Sequence, residues 1–455
     1  MAVFQIRAKK PATGELVDLV YDNEKSRLTY AATGESAVMV MQVAGREDAP
    51  VVSLESPLGK TSPRVLKISL GLSCNYECEY CSQRFVPHAD ETNPKDVDAF
   101  MAGLDAWVKM APEKIEFWGG EPFVYIKTMR PLAERLRVKY PQARLSVITN
   151  GSLLTKELNE WIDAMGFEVG LSHDGPGQPV RGPDPLDDPE KREAIFNLYR
   201  RLAPQGRLSF NAMINRENPS RAAIQQFFIK LTGDRMVCIG EGSFVDAYDE
   251  GGLAMSLQPE ELAPYRNLAF HELRMGQASN FGTITMKTSN FINSLRTARQ
   301  ASSVGQKCGM DRPDNIAVDL HGNVLTCQNT SIKGIAPNGQ SHHLGNVADM
   351  ENVKLKTATH WSHRKECPNC PVLQICQGSC MYLEGDLWET TCDNAFSDAI
   401  PMFAAGIEFL TGLVPTYIEG PQREDRKDIF GSLRNPQREG VALPQKRFPI
   451  RVVAA

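Results

Sequence analysis

A chain of 455 residues with 42% hydrophobic and 23% charged side chains is long enough for two or three folded units and reads as globular. Its net charge of -5 supplies no basic face for a polyanion, so nucleic acid is not an expected partner. The opening residues, Met1-Ala-Val-Phe-Gln-Ile-Arg, lack the order of a secretory signal, and no apolar run is long enough to cross a bilayer. A cytoplasmic protein with no membrane partner is therefore expected. In that reducing compartment eleven cysteines are poorly explained as disulfides, and their clustering points to metal.

Residues 1–62 carry short β-like runs at 4–7, 15–21 and 27–30, and are expected to form a small β-rich segment packed on the main body. From residue 65 onward, short apolar strands alternate with amphipathic helices. Strands are expected at 65–70, 114–118, 144–149, 167–172, 207–214 and 236–239, and helices at 94–110, 126–140, 155–165, 191–202 and 221–231. In the first helix Val97, Phe100, Met101, Leu104, Trp107 and Val108 form a stripe at helical spacing. This alternation predicts an α/β fold, a partial (β/α)6 TIM-like barrel over residues 63–255, with its chemistry at the C-terminal ends of the strands.

Three thiols follow the first strand in the run Cys74-Asn-Tyr-Glu-Cys78-Glu-Tyr-Cys81. Such a set can hold three irons of a 4Fe-4S cube and leave the fourth for a non-protein ligand, or it can form a zinc knuckle. The second strand runs into Trp118-Gly119-Gly120-Glu121-Pro122, where two glycines permit close approach to a ligand and Glu121 offers an acceptor. The third strand ends in Thr149-Asn150-Gly151 and the fourth in Ser172-His173-Asp174-Gly175, so small polar groups collect at one rim. After the sixth strand, Asp246, Tyr248 and Asp249 are candidates for moving a proton at a substrate, against the plainer reading of a solvated acidic loop.

Residues 256–303 read as a helical linker, with helices at 258–273 and 289–300 joined by a polar stretch at 276–289. Residues 304–395 hold Cys308, Cys327, Cys367, Cys370, Cys376, Cys380 and Cys392. Two zinc ribbons would need another ligand, for which His342, His343, His360 or His363 is available. Cys238 is either a buried small apolar residue or a distant ligand. A terminal helix is expected at 396–413, followed by an extended tail through Pro415, Pro421, Pro436, Pro444 and Pro449 that wraps the body or stays mobile.

The Cys-x3-Cys-x2-Cys run with Tyr80 before its last cysteine, followed by Gly-Gly-Glu-Pro on the next strand, resembles the radical S-adenosylmethionine (SAM) enzymes. The seven downstream cysteines resemble the SPASM extension of a subset of them, and the likeness spans roughly residues 65–395. It implies SAM and three 4Fe-4S clusters as cofactors. Cys74, Cys78 and Cys81 would hold the SAM-binding cluster; Cys308, Cys327 and Cys380 a first auxiliary cluster; Cys367, Cys370, Cys376 and Cys392 a second. Gly119, Gly120 and Glu121 would meet the SAM amino group, with Pro122 completing the SAM-binding motif, Tyr80 near the adenine, Ser172 and Asn150 near the ribose and Arg181 on the carboxylate. The fourth ligand of the first auxiliary cluster is absent from its expected neighbourhood, residues 300–307. The activity implied is reductive cleavage of SAM to a 5′-deoxyadenosyl radical that abstracts hydrogen from a peptide or protein side chain, in peptide maturation. Oxidation or rearrangement of a small sugar-like metabolite is the second choice, and sulfatase-maturase-like oxidation a lower one. Expected partners are a peptide or protein substrate and a flavodoxin- or ferredoxin-like electron donor.

Overall fold

The structure, a computed structural model, describes residues 1–89 and 91–431. Strands β1 (Val3–Lys9), β2 (Leu16–Asp22) and β3 (Arg27–Tyr30) form an antiparallel sheet. Strict alternation in β1 sends Phe4, Ile6 and Ala8 inward, as a sheet with one solvated face requires. Tyr21 packs on Phe4, Phe291 and Phe403, so this sheet lies against the helices Gly282–Thr297 and Gly385–Thr411. Strand β4 (Leu58–Gly59) then leads into the barrel.

β5 (Val65–Ser69), β6 (Lys114–Trp118), β7 (Arg144–Thr149), β8 (Phe167–Ser172) and β9 (Leu208–Asn211) run parallel in that order. The helices Asp96–Trp107, Ile126–Lys139, Lys156–Ala164, Pro189–Leu202 and Arg221–Thr232 lie between or after them, within a few residues of the predicted spans. This is the expected partial α/β barrel.

The sixth strand is a correction. Residues 236–239 contribute only isolated bridges, from Ile239 to Phe210 and to Phe281. Asp234 takes up the first two N–H groups of the run, its carboxylate accepting from Met236 N at 2.8 Å and its carbonyl from Val237 N at 3.3 Å, so the run is bent before it can form a ladder.

The barrel sheet does not stop at β5. β10 (Asn315–Asp319) pairs parallel with β5 on its other side, in register from Asn315 opposite Val65 to Asp319 opposite Ser69. β11 (Asn323–Leu325) and β12 (His343–Asn346) extend the same sheet antiparallel. β13 (Lys354–Leu355) pairs with β4. The cysteine-rich region is thus continuous with the barrel through backbone hydrogen bonds.

Two further spans differ from expectation. The stretch predicted as a polar joint at 276–289 already belongs to the helix Gly282–Thr297 from residue 282. The terminal helix begins at Gly385 and carries Cys392 within it, because its polar residues face inward: Thr391 Oγ1 accepts from Ala247 N at 2.7 Å and Asn394 Oδ1 from Leu257 N at 3.1 Å. Beyond it, β14 (Val414–Glu419) adds to β1, so this part of the tail wraps the body. Pro436, Pro444 and Pro449 lie outside the described residues. Among the described residues no helix is long and apolar enough to cross a membrane.

Candidate functional site

The loop leaving β5 is fixed before it reaches the first cysteine. Thr92 Oγ1 donates to Leu70 O at 2.6 Å, and the Glu91 carboxylate accepts from Leu72 N, Ser73 N and Ser73 Oγ at 2.8–3.1 Å. The adjoining glycines serve this loop. Ala at Gly120 would place its Cβ 2.3 Å from Leu72 O and 2.6 Å from Ser73 O, and Gly120 and Glu121 donate their N–H groups to Gly71 O and Ser73 O. The end of β6 and the thiol-bearing loop therefore cross backbone to backbone, which only Gly permits.

Glu121 is 1% exposed. Its carboxylate accepts from Thr149 Oγ1 and Asn150 N at 2.8 Å and from Phe123 N at 3.1 Å. Burial pushes its carboxyl above the usual carboxylate range in spite of these donors. Pro122 follows at the first position of a short 3-10 turn. Asn150 Nδ2 donates to Asn75 Oδ1 at 3.0 Å while its own Oδ1 accepts from Ser152, which ties the end of β7 to the residue after Cys74.

Tyr80 donates a short hydrogen bond to Asp174 Oδ2 and accepts from Arg181 Nη1 at 2.8 Å. Arg181 also lies 3.5 Å from Asp174, whose side chain is fully buried. Burial, then the neighbouring Asp174 charge, pushes the Tyr80 hydroxyl far above its ordinary range, so it stays a neutral donor. Arg181 Nε is buried with no partner. Sequence reasoning quoted Asp174 at the rim without a role; its partner Tyr80 lies 94 positions away, and no local signal marks the pair.

The eleven cysteines fall into three groups and one outlier. Cys74, Cys78 and Cys81 influence one another, as do Cys308, Cys327 and Cys380, and as do Cys367, Cys370, Cys376 and Cys392. Among the described residues no three Cys, His, Asp or Glu side chains close round one point as a single metal ion requires; a cubane instead takes thiolates spread over its corners. Cys238 is exposed, a correction to its reading as buried, and lies near Tyr199 rather than along the cavity of the first auxiliary thiols. His360 is buried on Trp361, 3.4 Å from Asp311.

One cavity of about 900 Å³ receives the Cys74 group, the Cys308 group, Tyr80, Gly119 through Pro122, Asn150, Ser172, Arg181, Asp246 and Asp249. The four thiols of the Cys367 group line a separate recess with Trp388, Phe396 and Arg426. Asp246, a predicted proton carrier, accepts from Lys307 Nζ at 3.0 Å and Ser379 Oγ at 2.7 Å, and Asp249 caps the short helix Glu250–Ala254 through Gly252 N. Tyr248 lines the same cavity as the Cys308 group; burial first, then the thiols of that group and Asp246, push its hydroxyl far up.

A partial barrel whose first loop carries three grouped thiols beside a Gly-Gly-Glu-Pro turn defines a class. Residues 68–225 match the model of the radical SAM superfamily, and the chain is a radical SAM enzyme, a class that works with SAM and a 4Fe-4S cluster. It is 25% identical over 364 residues to the radical SAM cyclopropyl synthase TigE of Paramaledivibacter caminithermalis, covering 71% of this chain and 69% of that one. It is 23% identical over 351 residues to the serine-type anaerobic sulfatase-maturating enzyme of Bacteroides thetaiotaomicron, covering 68% and 80%. In fold it resembles native anSMEcpe, solved with bound AdoMet and a Kp18Cys peptide, at a TM-score of 0.53 and 18% identity over 75% of this chain and 99% of that one.

Proposed function

We propose that this chain uses a SAM-bound 4Fe-4S cluster on Cys74, Cys78 and Cys81 to modify a peptide or protein side chain, with two auxiliary 4Fe-4S clusters on the seven downstream cysteines. The observation that carries this reading is the shared cavity: the Cys74 group and the Cys308 group open onto the same space, so a substrate there faces both. The donor sets fit. Three thiols suit a cluster with a free corner, and the unpartnered, buried Nε atoms of Arg181, Arg364 and Arg426 stand near the three groups as donors for anionic occupants. When bound and reduced, the cluster and SAM together supply a 5′-deoxyadenosyl radical for hydrogen abstraction.

The chain's own residues do the positioning. The Gly119–Gly120 crossing fixes the thiol loop, and the carbonyls of this turn would accept from the SAM amino group. Glu121 acts from behind by holding β7, since its carboxylate is already taken up by three donors. Arg181, with Nε free, would donate to the SAM carboxylate; Tyr80 would border the adenine, and Ser172 and Asn150 the ribose. Asp246 and Asp249 line the cavity but act first as a clamp and a cap. A peptide substrate is favoured by the size of the cavity and by the likeness to maturating enzymes. A cytoplasmic setting with a flavodoxin- or ferredoxin-like donor suits the free thiols and the need for a low-potential electron.

Anaerobic reconstitution tests the reading. About twelve irons per chain and reductant-dependent release of 5′-deoxyadenosine are expected, with turnover on a peptide encoded beside this gene. Stoichiometric zinc without SAM cleavage overturns it, and turnover of a small metabolite alone overturns the choice of substrate.

A further inference from the structure

The four thiols of the second auxiliary group are met by a residue from outside the cysteine-rich region. After β14 the chain turns back, and Arg426, 4% exposed, donates through Nη2 to Cys392 Sγ at 3.3 Å. The same Nη2 reaches Asp393 Oδ1 at 2.6 Å, and the guanidinium stands 4.7 Å over the ring of Phe396. Its Nε is buried without a partner, and it lines the recess that holds Cys367, Cys370, Cys376 and Cys392.

The charges around the two auxiliary groups differ. Burial acts first on Cys367, Cys370 and Cys376; beyond it, one another and nearby backbone N–H groups, the charges that act on them are Arg364, Arg426, Lys307 and Lys287, while the Asp393 carboxylate beside Cys392 is taken up by Arg426. In the first group Lys67 is set against Asp311 beside Cys308 and Asp246 beside Cys380. Reduction adds one negative charge to a cluster and its thiolates, and a cationic donor on a ligating sulfur stabilises that added charge.

We propose that Arg426 sets the reduction potential of the second auxiliary cluster, raising it through a hydrogen bond to the Cys392 sulfur and a buried positive charge. The inference rests on the reading that these four thiols hold a 4Fe-4S cluster. Asp393 anchors the guanidinium, and Arg423, 2.9 Å from the same carboxylate, draws part of that anion away from Arg426. Reduction here takes one electron and no proton, because the guanidinium stays protonated throughout.

The test uses the full chain, anaerobically reconstituted, with Cys74, Cys78 and Cys81 replaced by Ala so that only the auxiliary clusters report. Arg426→Gln and Arg426→Lys are compared with Arg426 by iron content and by redox titration followed by electron paramagnetic resonance, with dithionite as reductant. Arg426→Gln is expected to shift one of the two midpoint potentials to lower values at unchanged iron content, leave the other in place, and give a larger shift than Arg426→Lys. Full iron with both midpoints unmoved overturns the inference, and so does loss of the cluster in both variants, which makes Arg426 a structural residue. A parent protein with only one auxiliary signal overturns instead the cluster assignment beneath it.

Discussion

Asp246 holds Lys307 Nζ at 3.0 Å and Ser379 Oγ at 2.7 Å, and so joins the chain immediately before Cys308 to the chain immediately before Cys380. Two ligands of one proposed cluster are brought into register by a carboxylate from the barrel side. Asp246→Ala is expected to cost about 2 kcal/mol, less than a fully buried pair because Lys307 is partly exposed. Iron content should fall by about a third while SAM cleavage persists. A variant with full iron and undiminished stability removes the clamp.

Tyr80 bridges Asp174 and Arg181. In Tyr80→Phe the ring remains and the bridge is lost, a change worth about 1–2 kcal/mol, or roughly a tenfold rise in the dissociation constant for SAM. The measurement is the change that SAM causes in the cluster's paramagnetic signal, titrated at constant iron content.

The two motif glycines should behave differently. At Gly120 an added Cβ meets backbone oxygens at 2.3 and 2.6 Å, whereas at Gly119 it stands 3.1 Å from Gly71 O. Gly120→Ala is expected to lose about 3 kcal/mol or more and the SAM-site iron, and Gly119→Ala about 1 kcal/mol. Thermal midpoints of the apo-proteins separate the two, and equal effects would contradict the crossing geometry.

His342 lines the main cavity, its Nδ1 2.6 Å from Thr326 Oγ1, and burial pulls its imidazole from 6.5 down to about 4. Between these values the unfolded chain binds a proton that the folded one refuses. The contribution is therefore complete above pH 6.5 and declines as the pH falls toward 4. It amounts to about 2 kcal/mol after allowance for the ring's partial exposure. His342→Asn should flatten the pH dependence of stability across that window, measured by denaturant unfolding of the apo-protein.

The parallel strands were legible because each is an apolar run followed by turn residues, and the thiol loop because Cys74, Cys78 and Cys81 stand together in the chain. Relationships between distant residues were not. No strand was expected at the five residues of β10, and nothing in them names Val65–Ser69 as a neighbour. The last helix was expected to begin only at residue 396, because the hydrogen-bond partners that draw Thr391 and Asn394 inward, Ala247 and Leu257, lie more than a hundred positions away. Arg426 carries no motif at all. The Gly-Gly-Glu-Pro turn was read as approaching a ligand, whereas its tightest neighbour is the chain's own backbone at Leu72 and Ser73.

The ladder between β5 and β10 bears on how such a protein can be dismantled or inherited. Cutting away the cysteine-rich half would strip one whole side of the strand that leads to Cys74 and leave a bare, sticky border there. Exchange of that half between related chains must carry a matching strand with it, so initiating and auxiliary centres are expected to travel together as one inherited block.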